Sequence, residues 1–268
     1  MSLVPKLAPH TEATIHTFLR AHVADAEAEG LLLGLSGGID STLCARLARD
    51  AVGAERTHSL LLPDAAFPPA LRQEVAEYAH DLGISLRVVE IEGPESAFRG
   101  LFPEVTDRVS WGNLKARLRM ATLYQEARER RLLVVGTGNK SELLTGYFTK
   151  WGDGGVDLLP IGDLYKTQVR ELAAQLELPR SVQERAPTAG LWEGQTDEGE
   201  LGVPYSELDQ ILFGLEQLRT PAEIAQATRL PVDRVQAVEA MVERTRHKRR
   251  PPPIPKLGLR TVGLDWRE

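Results

Sequence analysis

Short apolar runs alternate, in the first half of the chain, with longer stretches in which apolar residues recur every three or four positions. The runs predict buried β-strands at residues 31–35, 57–62, 86–91 and 132–136. The stretches predict helices over residues 10–29, from residue 40 onward, over 68–82 and over 113–130. Because strands that alternate with helices form parallel sheets, the pattern predicts an α/β fold: an open parallel sheet with helices on both faces.

Three segments show neither periodicity, and they cover residues 93–109, 146–163 and 187–202. The segment 146–163 is rich in Gly and Asp, which favours a loop around charged ligands. The segment 187–202 is glycine-rich and acidic, and it predicts a mobile lid. Helical spacing returns at 164–176, after Pro204 and over 221–246, which predicts a helical C-terminal region. Since we find no internal repeat or low-complexity linker, we expect one domain over residues 1–268.

A glycine-rich turn follows the first predicted strand, with the sequence Ser36-Gly37-Gly38-Ile39-Asp40-Ser41. Glycines let the backbone turn tightly, and the amides at the start of the next helix attract an anion. A Walker A loop is excluded, because its spacing and lysine are absent. A carboxylate beside a bound phosphate is repulsive unless a cation separates them, so Asp40 indicates Mg²⁺. The alternative is a plain strand-turn-helix in which Asp40 caps the helix.

A second glycine turn follows the fourth strand, with the sequence Gly136-Thr137-Gly138-Asn139-Lys140-Ser141-Glu142. Ligands of open α/β sheets bind at the carboxyl ends of the strands. If both turns lie at one edge of the sheet, they face the same ligand. The sequence therefore predicts that Asp40 and Glu142 converge.

The composition argues against several classes of protein. The formal net charge is −6 and the pI is about 5.6, and this acidic balance argues against a protein that coats nucleic acid nonspecifically. No apolar run approaches the ~18 residues that a membrane span needs. The N-terminal residues lack the apolar segment of a secretory signal, so we expect a cytoplasmic protein without a membrane partner.

The sole cysteine, Cys44, excludes an intrachain disulfide and a multi-cysteine zinc site. Its helical spacing beside apolar residues favours a core position over a nucleophile. A cysteine glutaminase would need a further domain, for which the chain has no room. A separate glutaminase that supplies ammonia stays possible.

The turn Ser-Gly-Gly-Ile-Asp-Ser resembles the pyrophosphate loop of the ATP pyrophosphatase superfamily. With the segments 113–120 and 136–142 and the sequence Phe148-Thr149-Lys150-Trp151-Gly152-Asp153-Gly154-Gly155-Val156-Asp157, the chain resembles the ammonia-dependent NAD synthetases over residues 30–250. This resemblance implies the adenine nucleotide alpha hydrolase-like, Rossmann-like fold. The chain departs from the pattern at one point, since many bacterial members have Asp-His-Ala where this chain has Gly138-Asn139-Lys140.

The resemblance also implies site residues. Those implied for ATP are Ser36, Gly37, Gly38, Ile39, Asp40, Ser41, Thr42, Leu43, Thr137, Lys166 and Thr188. Those implied for Mg²⁺ are Asp40 and Glu142. Those implied for the substrate deamido-NAD are Arg117, Lys150, Asp157, His247 and Lys248. The implied catalytic residues are Asp40, Lys166, which would spread charge on the leaving pyrophosphate, and Asp153, which would handle the ammonium proton if burial raises its pKa.

The implied reaction has two steps. The nicotinate carboxylate of deamido-NAD attacks the α-phosphate of ATP and expels pyrophosphate, and ammonia then attacks the adenylate to give NAD and AMP. The resemblance further implies a homodimer. Two alternatives stay open: another adenylating ligase of this superfamily, such as a tRNA thiolation enzyme, and a nucleotide-binding module without turnover.

Some residues are ambiguous in sequence. Lys115 and Arg119 fit solvated helix charges, whereas the motif selects Arg117 as a ligand. The aromatic residues Tyr147, Phe148 and Trp151 fit either the core or a stacking wall for the nicotinate ring. The basic segment 244–250 fits a nucleic-acid arm, a solvated helix end or a dinucleotide site.

Overall fold

The computed structural model describes residues 2–192, 194–262 and 265. Four parallel strands lie in the spatial order β3-β2-β1-β4. Their bounds are β1 Gly30–Gly34, β2 Thr57–Leu61, β3 Ser85–Val88 and β4 Leu132–Val135. All four predicted strands are confirmed, although β3 ends earlier than predicted. Beyond that end, Val89 N still donates to Leu61 O at 2.9 Å.

The helices surround this sheet and form most of the C-terminal region. Their bounds are α1 Thr11–Asp25, α2 Ile39–Val52, α3 Pro69–Leu82, α4 Glu92–Leu101, α5 Arg108–Arg130, α6 Lys140–Thr145, α7 Lys166–Gln175, α8 Arg180–Gln183, α9 Asp197–Leu201, α10 Tyr205–Glu216, α11 Pro221–Thr228 and α12 Val232–Arg244. Short 3-10 turns cover Ala54–Arg56 and Arg246–Arg249. Within the described residues, we find no helix with an apolar stretch that could cross a bilayer.

The two faces of the sheet belong to different cores, because successive side chains of a strand point to opposite faces. Leu31 and Leu33 of β1 pack into a cluster with residues of α1, α2, α3 and α7. Leu32 of β1 and Val134 of β4 pack on the other face with Ala127 of α5. Helices therefore cover both faces, as the sequence predicts. A third cluster joins α10, α11 and α12.

The segment 93–109, predicted to be irregular, contains α4 and the start of α5. Its glycines and Pro94 argue against a helix, but proline is tolerated in the first turn, where its missing N–H would be unpaired anyway. Arg99 and Glu95 form an i,i+4 ion pair at 2.7 Å along α4. Asp107 then caps α5 by accepting from Ser110 N at 2.8 Å. A strong cap thus starts α5 earlier than its apolar periodicity predicts.

Candidate active site

The glycine turn between β1 and α2 is held in shape by its own residues. Gly37 has φ +80°, and a Cβ there would lie 2.6 Å from Leu71 Cδ1, so this position requires glycine. The hydroxyls of Ser36 and Ser41 are 3.0 Å apart, and Ser41 Oγ donates to Gly38 O at 3.0 Å. These contacts stabilise the conformation of the turn at the N-terminus of α2.

The two glycine turns meet, as predicted, at the carboxyl edge formed by β1 and β4. Lys166 Nζ at the start of α7 forms an ion pair with Asp40 and lies 3.4 Å from Glu142 Oε1. Asn139 Nδ2 donates to Asp40 Oδ1 at 3.0 Å. Asp40 lies inside α2, whose N-cap is Gly38. The alternative in which Asp40 caps the helix is therefore wrong.

These three charged side chains are almost enclosed by protein. Their exposed fractions are 2 % for Lys166, 18 % for Asp40 and 15 % for Glu142. Burial raises the pKa of Glu142 to about 8, the Lys166 ammonium opposes that rise, and the Asp40 carboxylate adds to it. Burial lowers the pKa of Lys166, but the attraction of Asp40 and Glu142 outweighs it and raises the pKa above its ordinary value. Lys166 therefore carries the positive charge of the cluster.

The donor set of this cluster fits a hard cation. Two carboxylates face one lysine, and carboxylate oxygens are the ligands that Mg²⁺ prefers. With both carboxylates ionised, one lysine cannot neutralise them, and the Asp40 carboxylate adds to the rise in the pKa of Glu142 that burial mainly causes. A divalent cation held by Asp40 and Glu142 would remove the excess of negative charge.

The other residues that the resemblance implies for ATP differ in how exposed their side chains are. Ile39 and Leu43 are buried in the core, so their side chains have no access to a ligand. Thr42 Oγ1 donates to Gly38 O at 2.8 Å. Thr137 is half-buried just beyond β4. Thr188 is exposed, and its Oγ1 accepts from Gly190 N at 3.1 Å.

Four of the five residues implied for deamido-NAD form one connected group. Arg117 Nη2 donates to Lys150 O at 3.4 Å, and Lys150 Nζ donates to His247 O at 2.8 Å. Lys248 Nζ donates to Gly146 O and Phe148 O, both at 2.7 Å. The side chains of Arg117 and His247 are exposed.

Asp157 lies apart from that group, on the outer edge of β4. Its Oδ2 accepts from Val134 N at 2.8 Å, and its Oδ1 accepts from the Tyr124 hydroxyl at 2.9 Å. Leu158 continues this edge, since its carbonyl accepts from Gly136 N at 2.8 Å. Both carboxylate oxygens of Asp157 are thus engaged within the chain.

Asp153 lies in the turn after Lys150, and its Oδ1 accepts from Thr149 N at 2.8 Å. The residue is exposed at the surface, yet protein packed around its carboxyl group raises the pKa. The bond from Thr149 and the Lys248 ammonium oppose that rise. The direction is the one that a proton acceptor for ammonium requires.

The aromatic residues of this segment separate into two kinds. Trp151 is 52 % exposed, so it is not a core residue. Tyr147 and Phe148 are half-buried, and the Tyr147 hydroxyl donates to Glu200 Oε2 at 2.6 Å. The Trp151 ring is therefore accessible to a ligand.

Two charges that were expected to be solvated are half-buried and hydrogen-bonded instead. Lys115 Nζ donates to Asp64 Oδ2 at 2.6 Å, and the exposed fractions of the two side chains are 12 % and 8 %. Arg119 Nε donates to Leu62 O at 3.2 Å, and burial lowers its pKa. Both bonds tie α5 to the loop after β2. Arg117, on the same helix, is exposed.

Cys44 is fully buried beneath the glycine turn, which confirms its predicted core position. Burial raises the pKa of its thiol well above the ordinary value. In the basic segment 244–250, Arg249 Nη1 donates to Leu144 O at 2.7 Å, at the C-terminus of α6. Arg249 therefore agrees with the helix-end interpretation of that segment, because its cation lies at the C-terminus of α6. Its guanidinium is hydrogen-bonded to a backbone carbonyl there, however, and not solvated as expected.

Sequence reasoning missed three residues that contact the two turns or the helix starts of the candidate site. Asn139 caps α6 with a reciprocal bond to Glu142, a pattern that its spacing could have revealed. Arg185 donates to Gly37 O and to Glu74 Oε2. Asp209 contacts the first turns of α6 and α7. Arg185 and Asp209 had no local sequence signal, because their partners are distant in the chain.

A parallel sheet with a glycine turn before α2 and charged groups at the ends of β1 and β4 defines a nucleotide-binding α/β protein. The model of the NAD synthase family matches residues 12–252, and the chain belongs to that family.

Known relatives agree with this assignment. The chain is 46 % identical over 243 residues to the NH(3)-dependent NAD(+) synthetase of Methanosarcina mazei. The aligned region covers 90 % of this chain and 95 % of that protein. It is similar to a solved NMN synthetase of Francisella tularensis, with a TM-score of 0.82, 34 % identity and coverage of 94 % and 100 % of the two chains. It also matches the NH3-dependent NAD synthetase of Campylobacter jejuni, with a TM-score of 0.78, 30 % identity and coverage of 92 % and 97 %.

Proposed function

We propose that this chain is an ammonia-dependent NAD synthetase, which converts deamido-NAD, ATP and ammonia to NAD, AMP and pyrophosphate. Family membership supports the reaction. The observation that carries the proposal is the convergence of Asp40, Glu142 and Lys166 beside the glycine turn. A module that merely holds a nucleotide gains little from two carboxylates and a lysine at one point, whereas cleavage of a phosphoanhydride needs charge stabilisation there.

In the adenylation step, the glycine turn 36–41 and the amides at the start of α2 bind the phosphates of ATP. Asp40 and Glu142 would hold Mg²⁺, which when bound would neutralise charge and polarise a phosphoryl oxygen. Lys166, kept charged by its two carboxylate partners, stabilises the negative charge that develops on pyrophosphate. Thr137 and Thr188 are proposed as further ATP contacts.

In the amidation step, the group around Lys150 binds the dinucleotide. Arg117, Lys150, His247 and Lys248 provide positive or hydrogen-bonding groups for its phosphates and carboxylate. Asp153 accepts a proton from ammonium, and its raised pKa makes it a stronger base than an ordinary aspartate. Asp157 is retained as a proposed substrate residue, although its contacts in the free chain are structural.

The test follows all products of the purified chain at once. With deamido-NAD, ATP, Mg²⁺ and ammonium, we expect NAD, AMP and pyrophosphate in equal amounts, and no NAD when ammonium is replaced by glutamine. Asp40→Asn should lower turnover by about 10²-fold or more while leaving the melting temperature close to that of the wild type. Formation of ADP, or turnover unchanged in Asp40→Asn, would refute the proposal.

The similarity to the Francisella NMN synthetase provides a second candidate substrate. The corresponding acid is the mononucleotide of nicotinate, which has the same carboxylate but lacks the adenylate half. Comparing kcat/KM for the mononucleotide and the dinucleotide separates these candidates. We expect the dinucleotide to be preferred, and a higher kcat/KM for the mononucleotide would assign the chain to the second activity.

We also propose that the chain forms a homodimer. The proposal is compatible with a separate glutaminase that supplies ammonia. Support for a partner surface comes from the C-terminal end of α4, where Phe98, Leu101 and the C-cap residue Phe102 are 40 %, 70 % and 48 % exposed. Analytical ultracentrifugation should show a dimer. A monomer at the concentration used for activity would contradict it.

A further inference from the structure

The first turn of α7 is held by side chains from two other helices. The first N–H groups of a helix have no partner within it, and Tyr165 at the N-cap provides no side-chain bond. Instead, Thr167 N donates to Asp209 Oδ2 at 2.8 Å, and Lys166 N donates to Ser141 Oγ at 2.9 Å. Asp209 lies on α10 and Ser141 on α6, so three helices meet at this point.

Asp209 and Ser141 are themselves joined. Ser141 Oγ donates to Asp209 Oδ1 at 2.5 Å, and both residues are 0 % exposed. A buried carboxylate needs such partners, and its negative charge is favourable at the positive end of the α7 dipole. Each oxygen of Asp209 therefore serves a different helix, and the serine hydroxyl bridges between them.

The two helix starts that Asp209 joins carry the charged groups of the active site. Ser141 precedes Glu142, and the bonded N–H groups of α7 belong to Lys166 and Thr167. The 3.4 Å separation between Lys166 Nζ and Glu142 Oε1 thus depends on how the first turns of α6 and α7 are set against each other. Asp209 contacts both of these first turns, through Ser141 Oγ of α6 and Thr167 N of α7.

We propose that Asp209 is a positioning residue for the activation of ATP, which acts through Ser141 to hold Lys166 and Glu142 in place. The inference rests on the proposed function, because the step that it serves is the adenylation. Asp209 does not touch substrate. It fixes two backbones, so that the lysine and the carboxylate need no reorganisation when ATP arrives.

The test compares Asp209→Asn and Ser141→Ala with Val235→Ala, a control variant. Val235 on α12 is fully buried in the same apolar cluster as α10, so its truncation lowers stability without altering the hydrogen bonds at α6 and α7. For the two site variants, we expect kcat to fall about 10- to 100-fold, as for other residues that orient the groups in direct contact with a ligand. The KM for ATP and the Mg²⁺ concentration for half-maximal rate should rise, while the KM for deamido-NAD stays unchanged.

The control separates positioning from a general loss of stability. Val235→Ala should lower the melting temperature but leave kcat and both KM values unchanged at an assay temperature well below melting. The double variant Asp209→Asn with Ser141→Ala should lose no more activity than the worse single variant, because both act on one network. If Asp209→Asn does not fold, Ser141→Ala carries the same expectations.

The inference is overturned if the site variants keep wild-type kcat and KM for ATP, or if Val235→Ala reproduces their kinetic changes. Calorimetric titration with ATP and Mg²⁺ gives a readout that needs no product. If the wild type makes no NAD, the proposed function fails, and weaker nucleotide binding by Asp209→Asn would still support positioning. Equal binding by wild type and Asp209→Asn would then overturn it.

Discussion

Replacing Glu142 with Gln should remove activity and, without metal, make the chain more stable. Glu142 is almost enclosed, and burial raises its pKa to about 8 from an ordinary 4.5. Ionising it in the folded chain is therefore unfavourable. Gln has nearly the same shape and can accept the bond that Asn139 N donates to Glu142 Oε2 at 3.1 Å. The variant thus removes the charge and retains the packing, while kcat should fall about 10²-fold or more with the loss of a metal ligand.

The sign follows from proton binding by the folded and unfolded chains. Between pH 4.5 and pH 8 the unfolded chain releases a proton from Glu142 that the folded chain retains, so stability falls as the pH rises and levels off above pH 8. Each pH unit within that window corresponds to about 1.4 kcal/mol. Between pH 6 and pH 8.5 the wild type should lose about 3 kcal/mol from this residue, and Glu142→Gln should lose none of it.

Urea unfolding in EDTA at the two pH values measures this difference. We expect the stability advantage of Glu142→Gln over the wild type to widen from pH 6 to pH 8.5. Glu77→Gln, at an exposed position of α3, is the control and should show no widening. Adding Mg²⁺ should stabilise the wild type and not Glu142→Gln. A difference that stays constant with pH would refute the reasoning from burial.

Three further predictions test other parts of the site. Gly37→Ala should weaken ATP binding, because at φ +80° a Cβ would lie 2.6 Å from a side chain of α3. The control Gly83→Ala, at φ +69° with the nearest atom at 3.8 Å, should cost about 1 kcal/mol of stability and leave ATP binding intact. Thermal shifts with and without ATP distinguish the two variants. Equal ATP binding by Gly37→Ala and the wild type would count against the steric argument. Cys44→Ala should keep wild-type kcat, and iodoacetamide should label wild-type Cys44 after unfolding alone; rapid labelling of the native chain would contradict its burial. Arg117→Ala should raise the KM for deamido-NAD without changing the melting temperature. Lys115→Ala should destabilise the chain by about 3 kcal/mol, because the nearly enclosed Asp64 carboxylate loses its ion-pair partner. The reverse pattern in kinetics and melting would exchange their roles.

Sequence reasoning predicted the sheet and the convergence of Asp40 and Glu142, because both depend on rules that operate along the chain. Apolar runs define strands, and parallel strands place their carboxyl ends at one edge. The helix α4 was missed because its two glycines lower helix propensity, while the contacts that offset them come from elsewhere, such as the ring of Trp111 beneath Arg99 at 4.3 Å.

Partners of buried charges could not be predicted from local pattern. Lys115 and Arg117 lie two residues apart on one helix, yet Lys115 pairs with Asp64, 51 residues away, and Arg117 is exposed. Periodicity identifies an apolar face but does not tell a solvated cation from one that has a distant carboxylate. The same holds for Asp209, whose partners are 42 and 68 residues away.

The outer side of β4 has a consequence for how copies of this chain can associate. A bare strand edge offers a row of free amides and carbonyls on which another polypeptide can add a strand and begin aggregation. Here Asp157 and Leu158 occupy the N–H and C=O groups of Val134 and the N–H group of Gly136. Sheet extension at β4 is therefore blocked, and any assembly that uses this side of the molecule has to form through side chains.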